Sequence, residues 1–357
     1  MYHKVMLGMS GGVDSSVAAY LLKKESCEIS GVFMQNWHDD AENAFCTSKE
    51  DALDAIAVAD MLGIDIDIVN FEKEYQEKVF QYFLQEYAVG RTPNPDVLCN
   101  SEIKFKVFLD YALAQGADYI ATGHYVRKKI QEGKTYLLKA KDLHKDQSYF
   151  LYRINGKQLH HSLFPLGELT KKEVRFKANE IKLPTASKKD STGICFIGER
   201  PFREFLSHYL VLCPGIMRSP EGKILGEHMG LAFYTIGQRQ GLGIGGNGAP
   251  WYVAAKDISN NELLVVQGHD HPLLFSKELV MNDLSFIDGQ RPAEGEYQVK
   301  IRYRMPDIRA ELNYLADDEA KLRFGEPVWA VTPGQSAVIY NGDICLGGGI
   351  ISKAIAN

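Results

Sequence analysis

The 357-residue chain has no apolar run approaching the ~20 residues that a membrane-spanning helix needs. Its opening, MYHKVMLGMSGG, holds an apolar stretch too short for a cleavable export signal and runs straight into glycine. The expected location is therefore cytoplasmic, with no membrane partner. Cysteine is sparse, with six residues at 27, 46, 99, 195, 213 and 345. None forms C-x-x-C and none stands at zinc-finger spacing to histidine, so no structural zinc is expected. Closely paired cysteines are also absent, which argues against an iron–sulfur cluster. Internal repeats and low-complexity tracts are missing. One lysine is missing too. LGMSGGVDSSVAAYLL (7–22) runs from an apolar strand through a loop of small residues into a helix. That is the layout of a phosphate-binding loop, without the lysine of G-x-x-x-x-G-K-[ST].

What is present suffices for two or three domains with a real core: 45% of residues are hydrophobic and 24% charged. The net charge of −6 is unevenly spread. Residues 1–100 carry 7 Lys and Arg against 17 Asp and Glu, residues 101–204 carry 20 against 12, and residues 205–357 carry 13 against 17. The basic middle segment suggests a local footprint for a polyanion.

The first half alternates strands with helical patterns. Strands are expected at 4–9, 29–37, 66–71 and 117–125. Helices are expected at 13–24, from a Thr47/Glu50 capping box to about 62, at 73–90, and at 101–116 with Ser101 as N-cap. This rhythm implies a parallel sheet covered on both faces, with ligands outside the carboxyl ends of its strands. Residues 169–183 and 202–210 read as further helices. Beyond about 211, short strands and glycine turns take over, with a hairpin around Asn260-Asn261 and an all-β unit from about 276. The domains are expected at 1–203, 204–275 and 276–357.

Loop amides and a helix N-terminus favour anions. Gly11 and Gly12 let backbone approach a phosphate, and Ser10, Ser15 and Ser16 add hydroxyls. Asp14 is out of place beside a phosphate unless it holds Mg²⁺. Without the lysine that serves γ-phosphoryl transfer, cleavage at the α-phosphate is the better candidate. SGGVDS (10–15) resembles the loop of the N-type ATP pyrophosphatases, whose fold is a Rossmann-like (HUP) parallel sheet.

Two further segments carry reactive groups. GRTPNPDVLCN (90–100) reads as an extended, proline-fixed loop between two helices, with Asp96 and Cys99 able to share one site as acid/base and nucleophile. Cys99 is placed just ahead of a helix N-terminus, where a thiolate is favoured. KKDSTGICFIGERPF (188–202) puts Cys195 between Lys188, Lys189 and Arg200, with glycines at 193 and 198 for mobility.

Together with GVFMQNW, IATGHY, KDQSYFLY, FYTIGQRQGLGI, IRYR and TPGQSAVIY, these segments are similar to the tRNA-specific 2-thiouridylases over essentially the whole chain. The resemblance implies an α/β pyrophosphatase domain, a small central domain and a C-terminal β-barrel. It implies ATP and Mg²⁺ as cofactors. The partners are a tRNA anticodon stem-loop and a sulfur-donor protein. ATP adenylates the C2 oxygen of the wobble uridine in the glutamate, glutamine and lysine tRNAs, and a persulfide then supplies sulfur. By resemblance, Cys195 carries the persulfide, Cys99 is the nucleophile that forms a transient disulfide with it, and Asp96 is the acid/base. Gly8, Met9, Ser10, Gly11, Gly12, Val13, Asp14, Ser15, Met34 and Gly123 fall at ATP positions, with Asp14 the candidate Mg²⁺ residue. Asn94, Pro95 and Asp96 fall against the target base. His124, Lys145, Asp146, Gln147, Tyr303, Arg304 and Gln335 fall at tRNA contacts. Lys104, Arg127, Lys128, Lys129, Lys139 and Lys141 are further basic residues able to meet phosphates. A small-molecule synthetase of the amidotransferase type is a rival reading, and no glutaminase-like nucleophile supports it. A non-catalytic tRNA-binding protein is another, and the intact Ser10, Asp14, Asp96, Cys99 and Cys195 argue against it.

Overall fold

A computed structural model describes residues 3–25, 27–37, 48–190 and 201–356. Its first unit is a five-stranded sheet made of β1 (Lys4–Gly8), β2 (Glu28–Gln35), β3 (Asp65–Asn70), β4 (Tyr119–Ala121) and, beyond the hairpin of β5 (Val126–Gln131) and β6 (Lys134–Lys139), β7 (Ser162–Leu163). The order is β3-β2-β1-β4-β7 and every pairing is parallel. Direction of winding reverses between β1 and β4, which is where such sheets open a crevice for ligands. Helix α1 (Val13–Lys24) follows β1, and α2 (Ser48–Leu62) precedes β3. Thr47, the expected cap of α2, lies outside the described residues.

Helix α1 is enclosed on more sides than a single apolar stripe implies. Val13, Val17, Ala18, Ala19 and Leu22 are buried together with Ser15 and Ser16. Small residues suit a helix that packs on the sheet and also against the helix Lys171–Glu180.

The helix expected at 101–116 begins six residues earlier, at Pro95, and runs to Ala114. Asn94 caps it by accepting the Asp96 amide at 3.2 Å, and proline occupies the first helical position. Proline's fixed φ and missing N–H cost nothing there. Ser101 is thus a buried interior residue, and the stretch Cys99–Val107 is wound as a π-helix.

From Gly215 the chain is mostly antiparallel β, with one parallel pairing, Glu262–Gln267 on Gly215–Arg218. A four-stranded sheet joins Gly215–Arg218, Ile224–His228, Trp251–Asp257 and Glu262–Gln267. The last two form the expected hairpin, with Asn261 at φ 52° in its turn. Six strands between Phe275 and Ala356 then close into a barrel, since its first strand pairs with its last. The β5–β6 hairpin leaves the first unit and extends the barrel sheet, pairing Leu137 with Cys345.

The segment 90–93 is gripped by both β units. Lys256 of the central sheet donates to the Gly90 carbonyl at 2.8 Å, the Thr92 amide donates to the Pro333 carbonyl at 3.0 Å, and Gln335 of the barrel donates to the Thr92 carbonyl at 2.8 Å. Burial pushes the Lys256 ammonium down to about 8. A lysine depressed on folding weakens the folded state below its folded pKa, and that handicap fades as pH rises toward the unfolded value. Lys256→Met is therefore expected to change the melting temperature more favourably at pH 7 than at pH 10. A difference from wild type that stays constant across that range contradicts the assignment.

Candidate active site

The loop after β1 is shaped by its own side chains. Gly11 adopts φ +70°, and a Cβ there would stand 2.1 Å from the Asp51 carbonyl oxygen of α2. Ser15 and Ser16 both donate to the Gly12 carbonyl, at 3.1 and 2.8 Å, and both are buried. Their hydroxyls hold the loop together, leaving Ser10 as the exposed serine. Gly12 caps α1 with no side chain, so the first-turn amides face outward without a built-in acceptor. Gly123, in the loop after β4, lies so close that a Cβ would meet the Ser15 amide nitrogen at 2.8 Å. Met34, at the end of β2, closes the side next to Gly8.

Asp14 points into a cluster the sequence did not announce. Its carboxylate accepts Lys171 Nζ at 2.7 and 2.8 Å and the Tyr125 hydroxyl at 2.7 Å. Lys171 also pairs with Asp190 at 2.7 Å, and Asp190 takes Lys145 at 2.8 Å and Arg175 at 2.7 Å. Burial opposes ionisation of Asp190, yet the bonds from Lys145 and Lys171 outweigh it and hold its carboxyl well below the usual range. The loop that lacks a lysine in sequence thus receives one from a helix 157 residues away. With both oxygens on Lys171, the Asp14 carboxylate as arranged here fits an ammonium rather than a direct Mg²⁺ ligand.

The helix starting at Pro95 places Asp96, Cys99 and Asn100 within its first turns. Asp96 is half-buried, and burial pushes its carboxyl up while Lys104 works in the opposite direction. Cys99 is buried well inside the helix, past the terminus where a helix dipole is strongest. His124 packs its ring on Phe105 at 5.6 Å and bonds Thr122 Oγ1 at 2.8 Å. Burial, reinforced by Lys104, holds its imidazole neutral. One strand end therefore joins two features: Gly123 touches the loop, and His124 touches the helix that bears Asp96 and Cys99. Cys195 lies outside the described residues. The chain leading to it is tethered to α2, where Lys188 bonds Asp51 at 2.6 Å and also Asp54.

Residues 3–199 match the family described as tRNA methyl transferase HUP domain, residues 203–267 its PRC-barrel domain, and residues 276–351 the aminomethyltransferase beta-barrel domain. A protein of Neisseria meningitidis serogroup B named tRNA-specific 2-thiouridylase MnmA is 67% identical over 97% of this chain and 95% of its own length. Proteins of the same name from Chromobacterium violaceum and Methylobacillus flagellatus are 63% and 57% identical, over 92% and 100% of their lengths. The chain belongs to the tRNA-specific 2-thiouridylase family.

The basic segment of this family member is largely engaged internally. Lys139 is buried, bonded to Asp307 at 2.6 Å and to the Gly342 carbonyl. Arg127 bonds Asp343, Lys128 bonds the His160 carbonyl and Lys145 pairs with Asp190. A patch counted from sequence overstates the charge free to meet phosphates, since it ignores the acidic partners that folding supplies.

The expected tRNA contacts divide in the same way. Asp146 is enclosed, accepting from the Ala140 and Ser148 amides and facing Lys300 of the barrel at 3.3 Å. Gln147 accepts the Tyr125 amide at 2.9 Å. Arg304 is exposed at φ +64°, its guanidinium 5.3 Å from the Tyr303 ring, and Tyr303 in turn lies 4.4 Å from Phe150. Lys171, Tyr125, Asp190 and Asn100 were missed by sequence reasoning. The capping box Thr170/Glu173 marked the helix of Lys171 without indicating what the lysine faces.

Proposed function

We propose that this protein uses ATP to replace the C2 oxygen of a tRNA uridine with sulfur, at the wobble position of the glutamate, glutamine and lysine tRNAs. A carbonyl oxygen is a poor leaving group, so it is first made into one. The uridine O2 attacks the α-phosphorus of ATP, pyrophosphate departs, and the N3 proton passes to Asp96. The amides of residues 11–15 receive the pyrophosphate, and Lys171, held beside Asp14, supplies positive charge as that bond breaks. Ser10 and Met34 border the nucleotide. Mg²⁺ enters with ATP, bound through its phosphates rather than through Asp14.

The terminal sulfur of a persulfide on Cys195 then adds to C2, and the C2–O bond breaks to release AMP. The Cys99 thiolate attacks the Cys195 sulfur, so that 2-thiouridine leaves with its sulfur and a Cys99–Cys195 disulfide remains. The electron pair that forms the new S–S bond comes from the Cys99 thiolate, and the pair of the broken bond leaves on the 2-thiouridine sulfur. Two equivalents of an external thiol reduce the disulfide before the next turn. A separate persulfide protein loads Cys195. The base is turned out of its stack toward Asn94, Pro95 and Asp96. His124, Lys145, Gln147, Tyr303, Arg304 and Gln335 border its path, while Asp146 acts from within by fixing the 146–148 turn.

The observation that carries this reading is the single strand end that joins the nucleotide loop, through Gly123, to the Asp96 helix, through His124. Purified protein supplied with unmodified tRNA, Mg·ATP and a persulfide donor is expected to yield 2-thiouridine by nucleoside mass spectrometry, with one pyrophosphate per thiolated base. Pyrophosphate release that is independent of tRNA would favour a small-molecule acceptor and overturn the reading.

A further inference from the structure

Asn100 stands one residue past Cys99 and four past Asp96, so it shares a helical face with Asp96. It is only 3% exposed. Its amide nitrogen donates to the Phe150 carbonyl at 3.4 Å, which fixes which way the side chain points. The carbonyl oxygen, Oδ1, is buried and meets no donor among the described residues. Buried acceptors are nearly always paired, and one left alone is destabilising. The Phe150 that orients the amide also packs its ring, tilted, against Tyr303 of the barrel. An oriented acceptor without a donor, beside an acid and a reactive cysteine, calls for a ligand that brings an N–H.

We propose that Asn100 reads the N3–H of the target uracil and so selects uridine against cytidine. The proposal rests on the thiolation reading above and adds to it a base-specificity residue. Uracil presents a donor at N3, flanked by its two carbonyl oxygens. Cytosine presents a lone pair at the same place, which would face Oδ1 acceptor to acceptor. An amide free to rotate could satisfy either base, and the Phe150 carbonyl removes that freedom. The arrangement also suits the chemistry. As the O2–phosphorus bond forms, C2 becomes doubly bonded to N3 and the N3 proton must leave. Oδ1 can hold that proton in place but cannot take it, and Asp96, one helical turn away, can. Sulfur addition and departure of AMP leave C2 doubly bonded to N3. Only when the S–S bond breaks does the freed sulfur become a thione and N3 take its proton back, which Asp96 can return.

Dissociation constants test this without requiring turnover. The full-length protein, with α,β-methylene-ATP present, is titrated against anticodon stem-loops that differ only in carrying uridine or cytidine at the wobble position. Wild type is expected to prefer uridine by roughly tenfold, the weight of one oriented hydrogen bond. Asn100→Ala is expected to bring the two within threefold, mainly by weakening uridine, because phosphate contacts common to both RNAs are untouched. Melting temperatures of wild type and Asn100→Ala, measured alongside and expected to stay within a few degrees of each other, separate a lost contact from a lost fold. Equal weakening of both RNAs in Asn100→Ala, or no preference in wild type, overturns the proposal. Absence of 2-thiouridine in the activity assay strikes the thiolation reading instead, and the two failures are separately readable.

Discussion

Cys195→Ser is expected to reduce 2-thiouridine formation by more than about a thousandfold while tRNA-dependent pyrophosphate release continues near its wild-type rate. The two halves of the proposed reaction use different groups. Adenylation needs the loop of residues 10–15, Lys171 and Asp96, none of which is touched. Sulfur delivery needs a thiol that can be loaded outside the site and swung in, and a serine hydroxyl cannot hold a persulfide. The uncoupled variant should therefore release pyrophosphate and return uridine after hydrolysis of the adenylate. Cys99→Ser should differ in kind. It can still pass sulfur to C2 but cannot cleave the resulting disulfide link, so a single turnover should trap the RNA on the protein, released by dithiothreitol. Wild-type thiolation by Cys195→Ser removes the persulfide assignment. Loss of pyrophosphate release along with thiolation would mean that Cys195 is needed for the adenylation half as well.

The parallel sheet could be read from sequence because its signals are local. Apolar strands of about five residues alternate with amphipathic helices, and SGGVDS sits at a strand end, where such sheets open. The Asn260-Asn261 hairpin was equally readable. The start of the helix at Pro95 was missed, although Asn-Pro ahead of an apolar run is an N-cap and first-position pair. Two prolines in four residues read as loop, yet one of them starts the helix. That error carried Cys99 from inside a helix to its mouth. What no local pattern could show was pairing at long range. The joining of the β5–β6 hairpin to the barrel, the hold of Gln335 on 92–93 and the neutralisation of Lys139 by Asp307 each depend on residues more than a hundred positions apart. Such contacts are fixed by packing of whole units, and charge counted along the chain does not foresee them.

Lys171 is the sharpest case, and Lys171→Met is expected to slow tRNA-dependent pyrophosphate release by about a hundredfold. The argument starts from the missing loop lysine. A pyrophosphate leaving group gains negative charge as its bond to the α-phosphorus breaks, and backbone amides alone carry only partial charges. Lys171 is largely buried, held between Asp14 and Asp190, and Lys145 and Arg175 complete the cluster. Asp14 in this view positions the ammonium. The obvious objection is that removing one member of a buried pair destabilises the fold by about 3–5 kcal/mol, enough to mimic a catalytic defect. The double variant Asp14→Asn with Lys171→Met answers it, since no unpaired carboxylate remains at residue 14. It should recover most of the melting temperature lost by the single variant and none of the pyrophosphate release. Recovery of both together would make the pair purely structural. Acid should act through the same cluster: the Asp190 carboxyl is held low, so its contribution is present above the ordinary carboxylate range and disappears only as pH falls through its depressed value. Asp190→Asn should then flatten the acid limb of the stability profile in that low-pH window, and leave the profile near neutrality offset by a constant amount.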